Sequence, residues 1–346
     1  MGFKRLEADD FVVSAQAQTA TCWTNNAPIL EAYFTQSNQV NGASGVYYTT
    51  VFNENPTGSN SQAQFEIAYG NALGGGSLAY NENVAPGVSP ASTIYGQYRT
   101  LVLEDENSSF IFGGVTGSSI YALSIERARY KQSLFPGSMN LVLGGRVGNP
   151  SSTNTLQLTD NSNMVNIPTY YGTTRAYEVI SGSNGYAYNS GSGGNGYTAA
   201  NGSYGLFLPD IGTILLNGDA LDLNSNEGIN LNTDTDSNSP GNNPARLFQS
   251  LLTGSQFGLN SEETITSDFI FVRTRNSEFN YSENPSYISG STGEVIYDYF
   301  INNPQTYITT VGMYNDSNEL LAVAKLSKPL NKDFTKESLI RVKLDF

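Results

Sequence analysis

The stretch Leu339-Ile340-Arg341-Val342-Lys343-Leu344-Asp345-Phe346 decides the fold class, because its alternation is unbroken. Ile340, Val342, Leu344 and Phe346 fall on one side, and Arg341, Lys343 and Asp345 on the other. A period of two over eight residues marks a strand with one buried and one wet face. Upstream, Tyr307–Tyr314 is apolar and rich in β-branched residues, Asn315-Asp316-Ser317-Asn318 is a cluster of turn formers, and Glu319–Leu326 reads as the return strand. The expectation is a strand–turn–strand–strand unit. Free ends ordinarily fray, so a patterned strand reaching Phe346 is expected to be held, by this fold or by a neighbouring subunit.

Further upstream the same reading recurs. Short strands are expected over Asp10–Ser14, Val46–Asn53, Gln64–Tyr69, Thr100–Glu104, Ser109–Phe112, Ser118–Tyr130, Met139–Leu143, Leu206–Leu216 and Phe269–Arg275. Asn71–Pro90 reads as a long surface loop and Asn276–Gly293 as a polar one. Two short helices are expected. One begins at Pro28 and runs through Ile29, Leu30, Tyr33 and Phe34; the other covers Ala245–Leu252, with Asn243 as N-cap, Pro244 at its first position and Gly254 ending it. In Ser118–Tyr130, Tyr121, Leu123 and Ile125 alternate with Ala122, Ser124 and Glu126, and Arg127, Arg129 and Lys131 extend one face as a basic stripe. Ser181–Tyr204 holds mainly Ser, Gly, Asn, Ala and Tyr, with no charge between Glu178 and Asp210. That vocabulary serves adaptable recognition loops and floppy linkers alike; Tyr186, Tyr188, Tyr197 and Tyr204 favour a loop ordered by contact.

The fold class is therefore mainly β: antiparallel, sandwich-like sheets with long polar loops and one or two short helices. The chain is read as a β-rich region over 1–180, a Gly/Ser/Asn/Tyr-rich loop over 181–204, and a C-terminal β region over 205–346. An alternative division makes roughly 148–266 an insertion between the N-terminal third and the C-terminal strands. At 346 residues there is ample chain for a core.

Charged residues make up only 14 %, so polarity comes from Asn, Ser, Thr, Gly and 22 tyrosines, a mix that favours strands and turns. The net charge is −14, yet Lys325–Phe346 carries six bases against three acids, +3, which leaves −17 for the remainder. An acidic body argues against nonspecific nucleic-acid binding, and the basic tail is expected to meet an acidic protein neighbour or solvent. No leader peptide and no apolar run long enough for a bilayer are read.

The chain has no histidine and one cysteine, Cys22, which sits beside the only tryptophan, Trp23. That removes His-dependent nucleophilic systems, His- or Cys-clustered metal sites and an intrachain disulfide; Cys22 and Trp23 are expected to pack together near the start of the core. Residues 191–196 match G-x-G-x-x-G without a flanking strand and helix, and Gly113-Gly114-Val115-Thr116-Gly117-Ser118-Ser119 lacks a phosphate-loop lysine; both read as turns. Asp234, Asp236 and Asn238 have calcium-loop spacing, but Ser239 and Ala245 stand where glycine and glutamate belong. Asp219 with Asp222, or Glu262 with Glu263, could form a carboxylate pair only if folded across a cleft.

The stretches Thr310–Asp316 and Glu319–Leu326 resemble a "T-V-G-L-Y-D … E-L-x-A-V-A-K" pattern of tail-fibre and baseplate-associated proteins of tailed bacteriophages. Leu6–Val13, Ile125–Lys131, Phe269–Arg273 and Ser338–Phe346 extend the resemblance to virion structural proteins of T4-like contractile-tailed phages, the cyanophage type especially. The resemblance covers about half the chain and is weakest from Gly148 to Thr266. It implies a structural part of the virion, assembled in the host cytoplasm, working by multimeric contact with other tail or baseplate proteins. No catalysis, cofactor, nucleic acid or membrane insertion is implied; a host-surface glycan receptor role and a head-surface role are the alternatives. The expected assembly contacts are Lys328, Lys332 and Lys336 in an exposed loop over Ser327–Lys336, the sheet residues Ile340, Val342, Leu344 and Phe346, and Arg127, Arg129, Tyr186, Tyr188 and Tyr197.

Overall fold

The computed structural model describes residues 3–30, 35–36, 48–78, 88–145, 155–188, 202–223, 228–237, 241–282 and 284–345. They fall into two compact units, Gln18–Glu263 and Met1–Ala17 with Thr264–Phe346, so the larger unit is inserted into the smaller. This division departs from the expected boundaries at 180 and 204. It shares with the alternative only the idea of an insertion.

Strands β1 (Phe11–Thr21), β2 (Ile29–Leu30), β3 (Thr35–Gln36), β4 (Tyr48–Phe52) and β5 (Ala63–Asn71) precede helix α1 (Pro90–Leu103). β6 (Ile111–Phe112) and β7 (Val115–Thr116) form a small hairpin before β8 (Ser119–Ile125), β9 (Ser133–Leu134) and β10 (Asn140–Gly144). β11 (Thr155–Asp160), β12 (Thr169–Tyr171), β13 (Thr174–Ser183), β14 (Tyr186–Ala187), β15 (Gly205–Leu208) and β16 (Thr213–Asn217) lead to helices α2 (Gly218–Leu221) and α3 (Asn243–Gly254). β17 (Gln256–Gly258) and β18 (Asn260–Thr274) follow, then helix α4 (Asp298–Asn302), β19 (Thr306–Tyr314), β20 (Leu320–Lys332) and β21 (Ser338–Asp345). The described residues thus form a mainly antiparallel β protein, as expected, with four short helices rather than one or two.

In the larger unit one sheet runs in the order β2-β17-β10-β11-β13-β15-β16-β8-β5-β4-β3, with β12 and β14 attached to β13. β8 lies well inside it, and every residue but Ser124 is buried. Tyr121, Leu123 and Ile125 enter one core cluster, while Ile120 and Ala122 enter a second on the other face. The expected half-buried alternation is corrected accordingly: a covered strand is apolar on both faces. Phe65 of β5 and Phe257 of β17 lie seven strand positions apart, roughly 34 Å in a flat sheet at about 4.8 Å per strand. Their rings are 5.3 Å apart, so the sheet doubles over and its two ends face each other across the core. This gives the sandwich-like layering from a single sheet. Trp23 and Cys22 are buried in that core, where the indole Nε1 donates to the Phe257 carbonyl at 2.8 Å.

Several expectations yield to context. Thr100–Glu104 is the last turn of α1 and its cap, not a strand: Ser89 and Ser92 cap the helix reciprocally at 3.2 and 3.0 Å, Pro90 opens it, and Glu104 ends it at φ 56°. Ile29-Leu30 is a strand paired with Gly258 and Phe257 rather than a helix; Tyr33 and Phe34 lie outside the described residues. Arg127–Arg129 is a turn of 3-10 helix after β8, so no basic stripe continues the strand. Within Asn71–Pro90, Gly74–Ser77 is buried, with the Gly76 amide on the Asp236 carbonyl; residues 79–87 lie outside the description. Ser181–Ser183 finishes β13, and Tyr186–Ala187 pairs back on it. The N-cap of α3 is Asn242, because the Asn243 side chain clasps both backbone groups of Asp234, at 2.9 and 2.8 Å.

The smaller unit holds two thin sheets. β18 lies between β1 and β21 in one. β18 and β21 run in register from Ser267↔Asp345 to Thr274↔Ser338, with Ile270 opposite Val342. β19 and β20 form the other by themselves. The C-terminal strands are therefore correctly placed as strands, but β21 belongs to a different sheet from the hairpin before it.

Candidate assembly surface

Among the described residues of the smaller unit, Pro304 apart, only Ile270, Phe300 and Val342 are buried apolar side chains. At about 2 kcal/mol for each, they return far less than ordering such a unit costs. Among the described residues the same unit exposes sixteen large apolar side chains, against eleven in the longer insert. Its apolar surface is turned outward.

The hairpin concentrates this. Along β19 no residue is fully buried, and along β20 only Lys332 is. Tyr307 (60 %), Leu321 (67 %) and Val323 (58 %) are among the most exposed apolar residues. Thr310 pairs with Lys325 and Gly312 with Val323 on the exposed face; Val311 with Ala324 and Met313 with Ala322 make the half-buried one. A two-stranded hairpin is marginal in water unless something packs on it. β1 repeats the theme: all but its last residue are exposed, including Phe11, Val12 and Val13.

The expected contacts divide sharply. Lys328 is exposed on β20. Lys336 is half exposed and reaches Asp333 at 3.0 Å. Lys332 is wholly buried, with Nζ donating to Asn276 O, Asn280 Oδ1 and Asp333 O, each at 2.9 Å. It anchors the end of the hairpin, and Ser327–Lys332 is strand, not an exposed loop. The Asp333 carboxyl, held at about 2 chiefly by the Thr335 hydroxyl and then by Lys336, pins the turn that follows. Val342 is buried, and Ile340 and Leu344 are half-buried on the same side, so these three pack their own sheet. Arg341 and Lys343 stand on its outer side, with cations 5.5 and 6.0 Å from the Phe269 ring. Phe346 and Tyr197 lie outside the described residues.

The remaining expected contacts belong to the larger unit. Arg127 donates to the Tyr130 carbonyl at 2.7 Å and lies over that ring, and Arg129 bonds the Thr24 hydroxyl, so both are spent locally. Tyr186 is exposed at 57 %, while the Tyr188 hydroxyl is bonded to Gln157. Missed by the contact expectation were the exposed positions of β1 and β19. Their signal was legible as absence of charge: none stands between Asp10 and Glu31, nor between Asp298 and Asp316.

The carboxylates considered for chemistry are engaged by neighbouring donors. Asp219 accepts from the Ser118 amide and the Ser119 hydroxyl, both at 3.0 Å. Asp222 accepts from Thr233 at 2.9 and 3.0 Å, and burial pushes its carboxyl up. Thr233 in turn meets the buried Tyr121 hydroxyl at 2.8 Å. Glu262 lies 4.0 Å from Arg175, which is bonded to Asp210 at 2.7 Å, while Glu263 lies 3.9 Å from Lys131. As strand neighbours the two glutamates point apart. Asp234 accepts the Asp236 amide and sits 3.9 Å from Arg246, in an Asx turn; Asn238 and Ser239 lie outside the described residues, as do residues 191–196. Gly113 and Gly114, at φ 55° and 90°, make the two-residue turn of the β6–β7 hairpin. Among the described residues no cluster of acidic or cysteine side chains could hold a metal ion, and no helix is long and apolar enough to cross a membrane. Compared with family models, curated proteins and solved structures, the chain matches none.

Proposed function

We propose that the chain is a structural component of a tailed-phage particle, in its tail or baseplate, and that the smaller unit is the part that binds neighbouring proteins. The observation that carries the assembly reading is the inverted surface of that unit, with three large apolar side chains buried against sixteen exposed among the described residues. Apolar surface of that extent marks interaction sites. The phage context rests on the resemblance in Thr310–Asp316, Glu319–Leu326 and Ser338–Phe346. Those segments make up most of β19, β20 and β21, so the resemblance and the exposed surface fall in the same place. The work is binding: strands and hairpin edges satisfy the backbone of a neighbour and set register through alternating side chains. No bond is made or broken.

Cross-linking mass spectrometry on particles of the phage that encodes the chain tests this. The exposed lysines at 325, 328, 336 and 343 are expected to link to tail or baseplate proteins, and Lys332, being buried, is expected to stay silent. Links mainly to the major capsid protein would move the chain to the head. Absence of the chain from particles would overturn the reading.

A further inference from the structure

Among the described residues Lys332 is the only buried cation. Its amine donates to three uncharged oxygens, and among the described residues no carboxylate pairs with it. An ammonium shut away from water is costly without an opposite charge beside it. One of the three oxygens is Asn280 Oδ1, at 2.9 Å, and Asn280 is itself only 8 % exposed. The amide carbon lies one bond of about 1.2 Å behind that oxygen. Nucleophile and electrophile therefore meet in a place almost closed to water.

Asn280 is aimed in advance. Its Nδ2 donates to Asn276 O at 2.6 Å, which fixes the amide with its oxygen toward Lys332. The residue before it, Phe279, stands at φ 56°, where a bulky side chain is strained. The Thr306 hydroxyl donates to the Phe279 carbonyl at 2.6 Å, and Thr306 is the residue opposite Lys332 in the hairpin. Strain held at that point presents the amide to the amine.

We propose that Lys332 Nζ and Asn280 Cγ condense to an isopeptide bond once the chain has folded. The amine adds to Cγ, the Cγ–Nδ2 bond breaks, and Nδ2 leaves as ammonia with the proton that the amine sheds. A lysine ammonium and an asparagine amide thus become a secondary amide and one ammonium ion, with no oxidant or reductant. Glu337, whose charge reaches Lys332, passes the proton between the two nitrogens by way of solvent. This is a single event in the chain's maturation, not turnover, and it is independent of the phage reading. The product removes the buried charge and closes residues 280–332 into a covalent ring, which narrows the unfolded ensemble as a clip on any long loop does. A unit with three large apolar side chains in its interior is the kind that needs a staple.

Intact-mass measurement and peptide mapping of the purified full chain test the proposal. The expected mass is that of the sequence less one ammonia. Trypsin is expected to leave Lys332 uncut and to yield a branched peptide joining 276–325 to 326–336. Boiled in detergent, the wild type is expected to run ahead of Lys332→Met, which stays linear and keeps its full mass. In that variant, loss of the bond adds to loss of the hydrogen bonds. A wild-type chain of full mass that is cut after Lys332 overturns the proposal. So does a missing ammonia that maps within 276–325 alone, since Asn280 can also lose ammonia to its own backbone as a succinimide. The wild-type map decides the matter even if Lys332→Met fails to fold.

Discussion

Lys332 stands in the sequence among Lys325, Lys328 and Lys336 with nothing to distinguish it, yet it alone of these is enclosed. The reason is positional. It ends β20 opposite Thr306, where Asn276, Asn280 and the chain turning at Asp333 converge on its amine, and three oxygens meet its three donors. Such a residue is legible as a lysine but not as a buried one, because its acceptors lie more than fifty positions upstream or on the backbone of the next residue. Lys332→Met keeps the stem's bulk and strands those acceptors, and a stranded buried acceptor costs about 1–3 kcal/mol. The expected outcome is a loss of about 3 kcal/mol in the smaller unit, read as faster proteolysis across 306–332 in urea, with the Trp23 transition unmoved. Cys22 shows the converse. The sequence placed it in the core beside Trp23, and burial there pushes its thiol up to about 12.

At the scale of elements, strands with one wet face were easiest to read. β21 alternates in burial as its sequence alternates in polarity, apart from Leu339, which is exposed. Strands covered on both faces, β8 above all, lose that signal. α1 was missed because Thr-Leu-Val-Leu at its end is good strand material, whereas its start signal lay ten residues earlier in Ser89, Pro90 and Ser92. Capping decided the matter. The Ser89 hydroxyl accepts the Ser92 amide and donates to the Gly74 carbonyl at 2.7 Å, tying the helix to the buried loop before it. Ser89→Ala is expected to cost about 1–2 kcal/mol, seen as a lower melting temperature by Trp23 emission with little change at the hairpin. The surface proposed for assembly was half legible: the resemblance and the basic tail fall largely in the smaller unit, but Ile340, Val342 and Leu344, expected as contacts, face inward on β21. Which side of a strand meets a neighbour is set by the sheet it joins, and β21 joins β18 rather than the hairpin.

Taken whole, the molecule joins two units that answer acid in opposite directions. In the larger one Glu66, Asp160, Glu178 and Asp222 are held above their ordinary values, burial being the largest cause, with exposed Asp105 the exception. Their folded forms favour the proton, so the stability they contribute is full below the unfolded carboxylate range near ~4 and is lost as pH rises through the folded values. In the smaller unit Asp333 is held at about 2 by Thr335 and Lys336. Glu278, Glu337 and Asp345 are lowered as well, chiefly by bonds from the Arg275 amide, Arg273 and Lys343. Their contribution is present above the unfolded range and is lost as pH falls through the folded values. Melting followed by Trp23, which reports the larger unit alone, is therefore expected to move up from pH 8 to pH 5. Pepsin at about pH 2–3 should cut first within 264–345, since those carboxylates gain protons below ~4; first cuts in the insert would contradict this. The nesting of one unit inside the other also bears on the order of events at the ribosome. β1 emerges some 240 residues before its partner β18, about 12–50 s of elongation. The insert can collapse while β1 waits unpaired, and the smaller unit closes only once β18 and β21 have been made. A nascent chain halted just past Glu263 would own a finished core while most of the smaller unit was still unmade.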